Sequence, residues 1–157
     1  MLARAIKLLA ARPRSETEIR ERLADRADTR TVDECITRLK EMGYIDDARF
    51  ALGYARRRAE TKTIGRSRLA RELGARGVAR TTIGRALDCV FEEVDEEALV
   101  DRAIEKRLRR QAPPRDRNGT RRLFDHLARL GFDRELIISK VRALRADAGP
   151  LNRTTGE

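Results

Sequence analysis

Several residue types are scarce in this chain, and each shortage excludes a class of protein. The sequence contains no tryptophan, one histidine and two cysteines, and its only aromatic residues are four phenylalanines and two tyrosines. Two isolated thiols cannot build a disulfide framework, and one histidine cannot assemble a zinc site with them. No apolar run approaches the length of about 18 residues that a membrane span needs. We therefore expect no metal, no cofactor, no signal peptide and no membrane span in a cytoplasmic protein.

What the chain does contain is aliphatic and basic. Leu, Ile, Val and Ala must supply its core, and this composition favours helices over sheets. Thirty-six basic residues face 26 acidic ones, a net charge of +10, and all but five of the basic residues are arginine. This excess predicts attraction to a polyanion or to an acidic protein face. The alternative is that part of the arginine excess reflects the nucleotide composition of the source genome.

The positive charge is unevenly spread along the chain. Residues 1–50 carry a net charge of +1, residues 51–90 carry +7, and residues 102–146 carry +9. Between the two basic regions, residues 91–101 hold six acidic side chains and no basic one. The middle and the last third of the chain are therefore the candidates for contacts with phosphates or acidic surfaces.

The sequence also repeats itself. Residues 65–78 match residues 119–132 without a gap in their leucine, glycine and turn positions, and residues 15–36 give a weaker third copy. Self-similarity of this kind predicts stacked helical units that share one core. We expect an all-α protein of three tandem three-helix repeats forming an elongated, curved body. The predicted divisions are residues 1–45, residues 46–93 (basic), residues 94–148 (basic) and a disordered tail over 149–157.

Recurring signals mark the starts of the predicted helices. Asp46, Asp95 and Asp133 each follow an apolar residue and precede another by four positions, the pattern of an N-cap with a hydrophobic staple. Ser15 begins a capping box. Ala79 stands where the middle unit lacks the aspartate, so that helix should lose about 1 kcal/mol of capping.

Groups that could support catalysis have simpler structural explanations. His126 aligns with a glutamate of the preceding unit and is expected on a solvent face. The pair Asp46 and Asp47 could bind a metal, but helix capping accounts for it. The acids of residues 92–97 could hold a cation, but acids favour helix starts. With no glycine-rich phosphate loop and no nucleophile–base pattern, we expect a protein that is not an enzyme.

Two groups of basic residues are the predicted site for a partner or for nucleic acid. Gly65 is expected to begin the fifth helix, whose free amides would favour a phosphate or carboxylate, and Gly119 holds the matching place. The alternative is a solvated helix face with local ion pairs. The first group is Arg56, Arg57, Arg58, Lys62, Arg66, Arg68 and Arg71. The second group, around a proline-containing linker over 111–118, is Arg107, Arg109, Arg110, Arg115, Arg117, Arg121 and Arg122.

One block of residues resembles a known family. Gly43-Tyr-Ile-Asp-Asp47 is followed in order by Phe50-Ala51, Tyr54, Lys62, Gly65, Leu69, Glu72-Leu73 and Gly77-Val78. This block, with the opening segment from Ala10 to Leu23, is similar to the RecX family of recombinase regulators. The chain departs from the family pattern at Ala27-Asp28 and in the slightly longer segment between Thr61 and Ile64.

The resemblance implies a regulator of DNA repair, homologous recombination and the SOS response. RecX proteins bind in the groove of RecA–DNA filaments and limit filament extension, ATP hydrolysis and strand exchange. The implied partners are therefore the RecA filament and DNA, directly or within the filament, with the chain itself monomeric. The alternative from a different class is a stand-alone, non-enzymatic nucleic-acid-binding protein.

Overall fold

The computed structural model describes residues 1–147, which form nine α-helices and no strand, as the all-α prediction requires. The predicted tail, residues 149–157, lies outside the described residues. The helices are α1 (Leu2–Ala11), α2 (Glu16–Ala24), α3 (Thr29–Glu41), α4 (Asp47–Lys62), α5 (Arg66–Gly74), α6 (Arg80–Glu93), α7 (Glu96–Leu108), α8 (Arg117–Leu130) and α9 (Arg134–Asp147).

The predicted helix caps are confirmed. The Ser15 side chain accepts from the Glu18 amide, and the Glu18 carboxylate accepts from the Ser15 amide, which closes the capping box of α2. Asp95 caps α7, and Ala79 gives α6 no side-chain cap. The Asp46 carboxylate likewise accepts a hydrogen bond from an amide in the first turn of α4, and the Asp133 carboxylate accepts from amides in the first turn of α9.

One helix begins earlier than the sequence predicts. We expected α8 to start at Gly119 after an extended linker, but it starts at Arg117. Asp116 is the N-cap, and its Oδ1 accepts the Gly119 amide at 2.6 Å. The reason is that a capping aspartate satisfies the first-turn amides, and Pro113 and Pro114 lie far enough upstream not to interfere.

The chain divides into two compact units. The first unit comprises Met1–Thr61 and Leu69–Val94, and the second comprises Lys62–Arg68 and the described residues from Asp95 to the end of α9. Each has an aliphatic core, as the composition predicts, in which a fully buried Leu or Ile contributes about 1.5–3 kcal/mol. Fully buried members in the first unit are Ile19, Leu23, Ile36, Leu39, Leu69, Leu73 and Val90, and in the second are Ile64, Leu99, Leu123, Leu127 and Ile137.

In the first unit, the start of α2 is fastened to the turn between α5 and α6. The Ser15 hydroxyl donates to the Arg76 carbonyl at 2.5 Å, and the Thr17 hydroxyl donates to the Gly77 carbonyl at 3.2 Å. Gly77 has φ +75° and leaves no room for a Cβ beside Thr17. The Glu16 amide donates to Asp47 Oδ1 at 2.8 Å. The start of one helix is thus held by groups distant in sequence.

The second unit repeats this fastening with equivalent residues. The Gly65 amide donates to the Leu130 carbonyl at 2.9 Å, and the Ser67 amide donates to the Gly131 carbonyl at 3.0 Å. The Arg66 amide donates a hydrogen bond to the Glu96 carboxylate. Burial raises the pKa of Glu96, and this hydrogen bond opposes the rise only in part. The start of α5 is therefore fastened as the start of α2 is.

Candidate basic interface

The hydrogen bonds at the start of α5 exclude the anion site that we predicted there. We expected free amides at the start of α5 to favour a phosphate or carboxylate. The amides of Gly65 and Ser67 instead donate to backbone carbonyls, and the Arg66 amide is taken by Glu96. This prediction is wrong because amides that already donate within the fold offer a ligand nothing.

The arginine triplet at the end of α4 is largely neutralised. Arg56 pairs with Glu93 at 2.7 Å, and Arg58 makes two contacts with Glu72, at 2.7 and 3.0 Å. The hydrogen bonds that Arg58 donates to Glu72 raise the pKa of Arg58 above its ordinary value. Arg57 is exposed and has no ion pair among residues 1–147. The triplet therefore offers one unpaired guanidinium and not three.

Arg58 belongs to a polar network that the sequence analysis did not identify. The Tyr54 hydroxyl donates to Glu72 at 2.8 Å, and the Arg76 guanidinium lies 4.8 Å from the centre of the Tyr54 ring. Arg76 also pairs with Glu18 at 2.8 Å. Arginines and glutamates balance here, so the network joins α2, α4 and α5 of the first unit without offering net charge.

The three arginines of α5 differ in accessibility. Arg66 and Arg68 each have an electrostatic or hydrogen-bonding partner within the fold. Arg71 is exposed and carries no ion pair in the described part of the chain. Of the first predicted group, Arg57, Lys62 and Arg71 are therefore the side chains left for an external anion.

In the second unit, predicted residues gather around a cavity of about 290 Å³. Lys62 from the end of α4, Arg107 from α7 and Arg110 just after α7 line it. Lys106 of α7, which was not among the predicted residues, lines it too. No acidic side chain lines it, and none of the four cations has an ion pair among the described residues. Four cations therefore line a cavity whose walls contain no carboxylate.

Arg107 also lines a second cavity, of about 450 Å³, beside the linker. Arg115 and Arg122 contribute to it, and its one acid, Asp116, is engaged in capping α8. Arg107 therefore lines both cavities. The remaining predicted residues of the second group, Arg109, Arg117 and Arg121, are exposed but line neither cavity, and Arg121 lies 3.9 Å from Asp125.

We expected His126 on a solvent face, but it is half-buried in the wall of the smaller cavity. Burial lowers its pKa, and the positive charges of Arg107 and Arg129 lower it further. The prediction was wrong because alignment with Glu72 was taken to mean exposure, although Glu72 itself is half-buried. The alignment of His126 with Glu72, together with the basic segment before His126, is the sequence signal that could have indicated this half-buried position.

The acidic residues considered as metal ligands have structural roles. Asp46 caps α4, and Asp47 accepts the Glu16 amide. Asp95 caps α7, and Glu96 accepts from α5. In the part of the chain that the structure describes, there is no group of three or more His, Cys, Asp or Glu residues placed to hold a metal ion. Nor does that part contain a helix both long and apolar enough to cross a membrane.

Comparison with known proteins agrees with the helical arrangement. Residues 2–39 match the first three-helix domain of RecX, and residues 46–87 match the second. The regulatory protein RecX of Pelodictyon phaeoclathratiforme is 33% identical over 141 residues, which cover 89% of this chain and 86% of that protein. That of Treponema pallidum (strain Nichols) is 36% identical over 111 residues, covering 70% and 68%.

Solved structures show the same fold at lower identity. The crystal structure of RecX from Lactobacillus salivarius has a TM-score of 0.81 at 20% identity, and the alignment covers 92% of this chain and 94% of that one. Its likeness concerns the fold alone. With both family domains matched and with relatives that are similar over most of their length, the chain is a member of the RecX family of regulatory proteins.

Proposed function

We propose that this protein restrains a RecA-type recombinase by binding in the groove of the RecA–DNA filament. It limits filament extension, ATP hydrolysis and strand exchange, and so modulates recombinational DNA repair in the cytoplasm. Family membership supports this function, and relatives that match most of the chain are named regulatory proteins. The protein acts by binding and not by catalysis.

The observation that carries the proposal is the unpaired charge of the second unit. Six cations that line the two cavities have no ion pair within residues 1–147, and the one lining acid caps a helix. A surface of this kind attracts phosphates or acidic loops, because unneutralised guanidinium groups bind either in charge-assisted, two-point fashion. These cations are Lys62, Lys106, Arg107, Arg110, Arg115 and Arg122.

The test replaces two of these cations together and measures filament activity. Arg107→Glu together with Arg110→Glu should weaken inhibition of recombinase ATPase at least tenfold, because both changes put negative charge at the proposed contact. Arg102→Glu is the matched control, since Arg102 lies on the same helix, is exposed and lines neither cavity. Equal inhibition by all three proteins, with equal helicity, contradicts the proposed surface.

The second candidate function is nucleic-acid binding without a recombinase. The same two basic cavities favour it, since they require only a phosphate backbone. It predicts affinity for DNA alone that falls steeply with salt, because bound phosphates release counterions. Titration of labelled single-stranded DNA, with and without recombinase filaments, separates the two functions: filament-dependent binding supports the first, and unchanged binding supports the second.

A further inference from the structure

Two cavities, one in each unit, occupy equivalent places in the repeated sequence. The N-caps of α4 and α7 stand 49 residues apart, and the same offset relates Arg58 to Arg107 and Tyr54 to Ala103. The 54-residue offset that aligns α5 with α8 relates Glu72 to His126. Arg58, Tyr54 and Glu72 line a cavity of about 510 Å³ in the first unit, and their counterparts line the cavity of about 290 Å³ in the second.

In the first unit this place is neutralised from within. The Glu72 carboxylate accepts from both nitrogens of the Arg58 fork and from the Tyr54 hydroxyl. Glu18 and Glu21 line the same cavity, and Glu18 pairs with Arg76. An anion is therefore already supplied to the guanidinium groups by the fold.

In the second unit every one of those anions is missing. His126 stands at the position of Glu72, so Arg107 has lost the carboxylate that holds its counterpart. Ala103 stands in place of Tyr54, so the hydroxyl that donates to Glu72 in the first unit has no counterpart here. Lys62, Lys106 and Arg110 add three more cations to the walls.

We propose that the cavity lined by Lys62, Lys106, Arg107, Arg110 and His126 binds a phosphate group. The phosphate lies in the cavity beside His126 and accepts from the Arg107 guanidinium, as the Glu72 carboxylate accepts from Arg58 in the first unit. A phosphate suits the site better than a carboxylate, because it brings more charge and more acceptor oxygens to a place with several donors. The imidazole of His126 is a further donor.

Binding at this site should be linked to a proton on His126. In the free protein, burial and neighbouring cations hold its pKa low. A bound phosphate opposes both effects, because an adjacent negative charge favours the imidazolium. Affinity should therefore rise as the pH falls through the His126 pKa. The charged groups that face the ring are all positive: Lys62 from α4, Lys106, Arg107 and Arg110 from the α7 end, and Arg129 from its own helix.

The proposal deepens the proposed function and rests on it only for the source of the phosphate. A nucleic-acid strand and a small phosphorylated molecule present the same group. The experiment therefore uses the chain alone with two probes, pyrophosphate and a thymidine octanucleotide. Failure of this site then leaves the recombinase assay unaffected, and failure of the recombinase assay leaves this result unaffected.

The test uses the fact that His126 is the only histidine in the chain. Its ring proton signal in NMR, followed from pH 5 to 8, gives one titration curve without assignment ambiguity. We expect the midpoint to rise on addition of at least one of the two probes. A response to the octanucleotide alone identifies a strand, and a response to pyrophosphate alone identifies a small phosphorylated ligand. No response to either probe at millimolar concentration overturns the proposal.

Two variants and a control make the test specific. Arg107→Gln should weaken binding about tenfold or more, because it removes a charge-assisted hydrogen bond to the phosphate. His126→Glu restores the internal carboxylate and should abolish binding, measured by the phosphorus signal of pyrophosphate or by octanucleotide anisotropy. Arg102→Gln removes one charge from the same helix outside the cavity and should bind normally. Equal binding by all of these proteins would overturn the proposal.

Discussion

At the scale of single residues, the structure depends on a few side chains that satisfy two elements at once. Ser15 is completely buried, caps α2 and donates to the carbonyl of Arg76. Its first role is visible in the sequence, because a serine three residues before a glutamate predicts a capping box. Its second role is not, because the acceptor lies 61 residues away and only the packed fold brings it near.

Replacing this serine should cost more than an ordinary cap. Ser15→Ala removes the cap and leaves a carbonyl without its donor, so we expect a loss of about 1.5–4 kcal/mol in the free energy of unfolding. Thr81→Ala, an exposed change on α6, is the control and should alter it by less than about 0.5 kcal/mol. Urea unfolding followed by circular dichroism measures both. A loss at Ser15 no larger than that at Thr81 contradicts the double role.

Two glycines with positive φ separate backbone strain from close packing. Gly43 (φ +72°) has open space where a Cβ would lie, whereas at Gly131 (φ +90°) a Cβ would overlap the backbone of Arg68. Gly43→Ala should cost about 1–2 kcal/mol from strain alone. Gly131→Ala should cost about 2–5 kcal/mol, because overpacking adds to the strain. Thermal unfolding that places Gly43→Ala at or below Gly131→Ala in stability argues against the close contact.

At the scale of helices, the N-termini of α2 and α5 are held by the same kind of hydrogen bond. A carboxylate at the first position of α4 or α7 accepts the amide at the first position of α2 or α5. Burial is the largest influence on both carboxylates and raises the pKa of Asp47 and of Glu96. Ionisation of these groups therefore opposes folding, and their cost is felt as the pH rises through their folded-state pKa values.

The sign of this effect can be tested at Asp47. Asp47→Asn keeps an oxygen to accept the Glu16 amide but cannot ionise, so its stability relative to the parent should increase between pH 3.5 and pH 7. Asp28 is the opposite case, since hydrogen bonds from Thr31 lower its pKa. Asp28→Asn should therefore lose stability relative to the parent over the same range. Urea unfolding at both pH values gives the comparison, and equal signs for the two variants contradict the account.

The same scale shows where sequence patterns reach their limit. Asp46, Asp95 and Asp133 were recognisable because a staple accompanies each cap. The cap of α8 at Asp116 was missed, because it follows prolines and lacks that apolar partner. The predicted phosphate site at the start of α5 was wrong for another reason: carbonyls of α8 and its turn, distant in the sequence, accept from the amides of Gly65 and Ser67.

At the scale of the whole molecule, the net positive charge was readable from the sequence, but its availability was not. The fourteen predicted cations look alike in a sequence. Folding pairs Arg56 and Arg58 with glutamates distant along the chain and leaves Arg107 without a partner in the described residues. Which cations remain for a ligand depends on tertiary contacts. Fold and family could therefore be predicted closely, whereas the interface could be predicted only as a set of candidates.

The central claim is that this protein acts on a recombinase polymer and not on single subunits. ATP hydrolysis by recombinase assembled on single-stranded DNA, measured over a range of amounts of this protein, tests it most directly. Blocking filament extension lets one bound molecule affect many subunits, so we predict strong inhibition far below one molecule per recombinase subunit. Inhibition that appears only near one-to-one, or none at any ratio, would contradict the account.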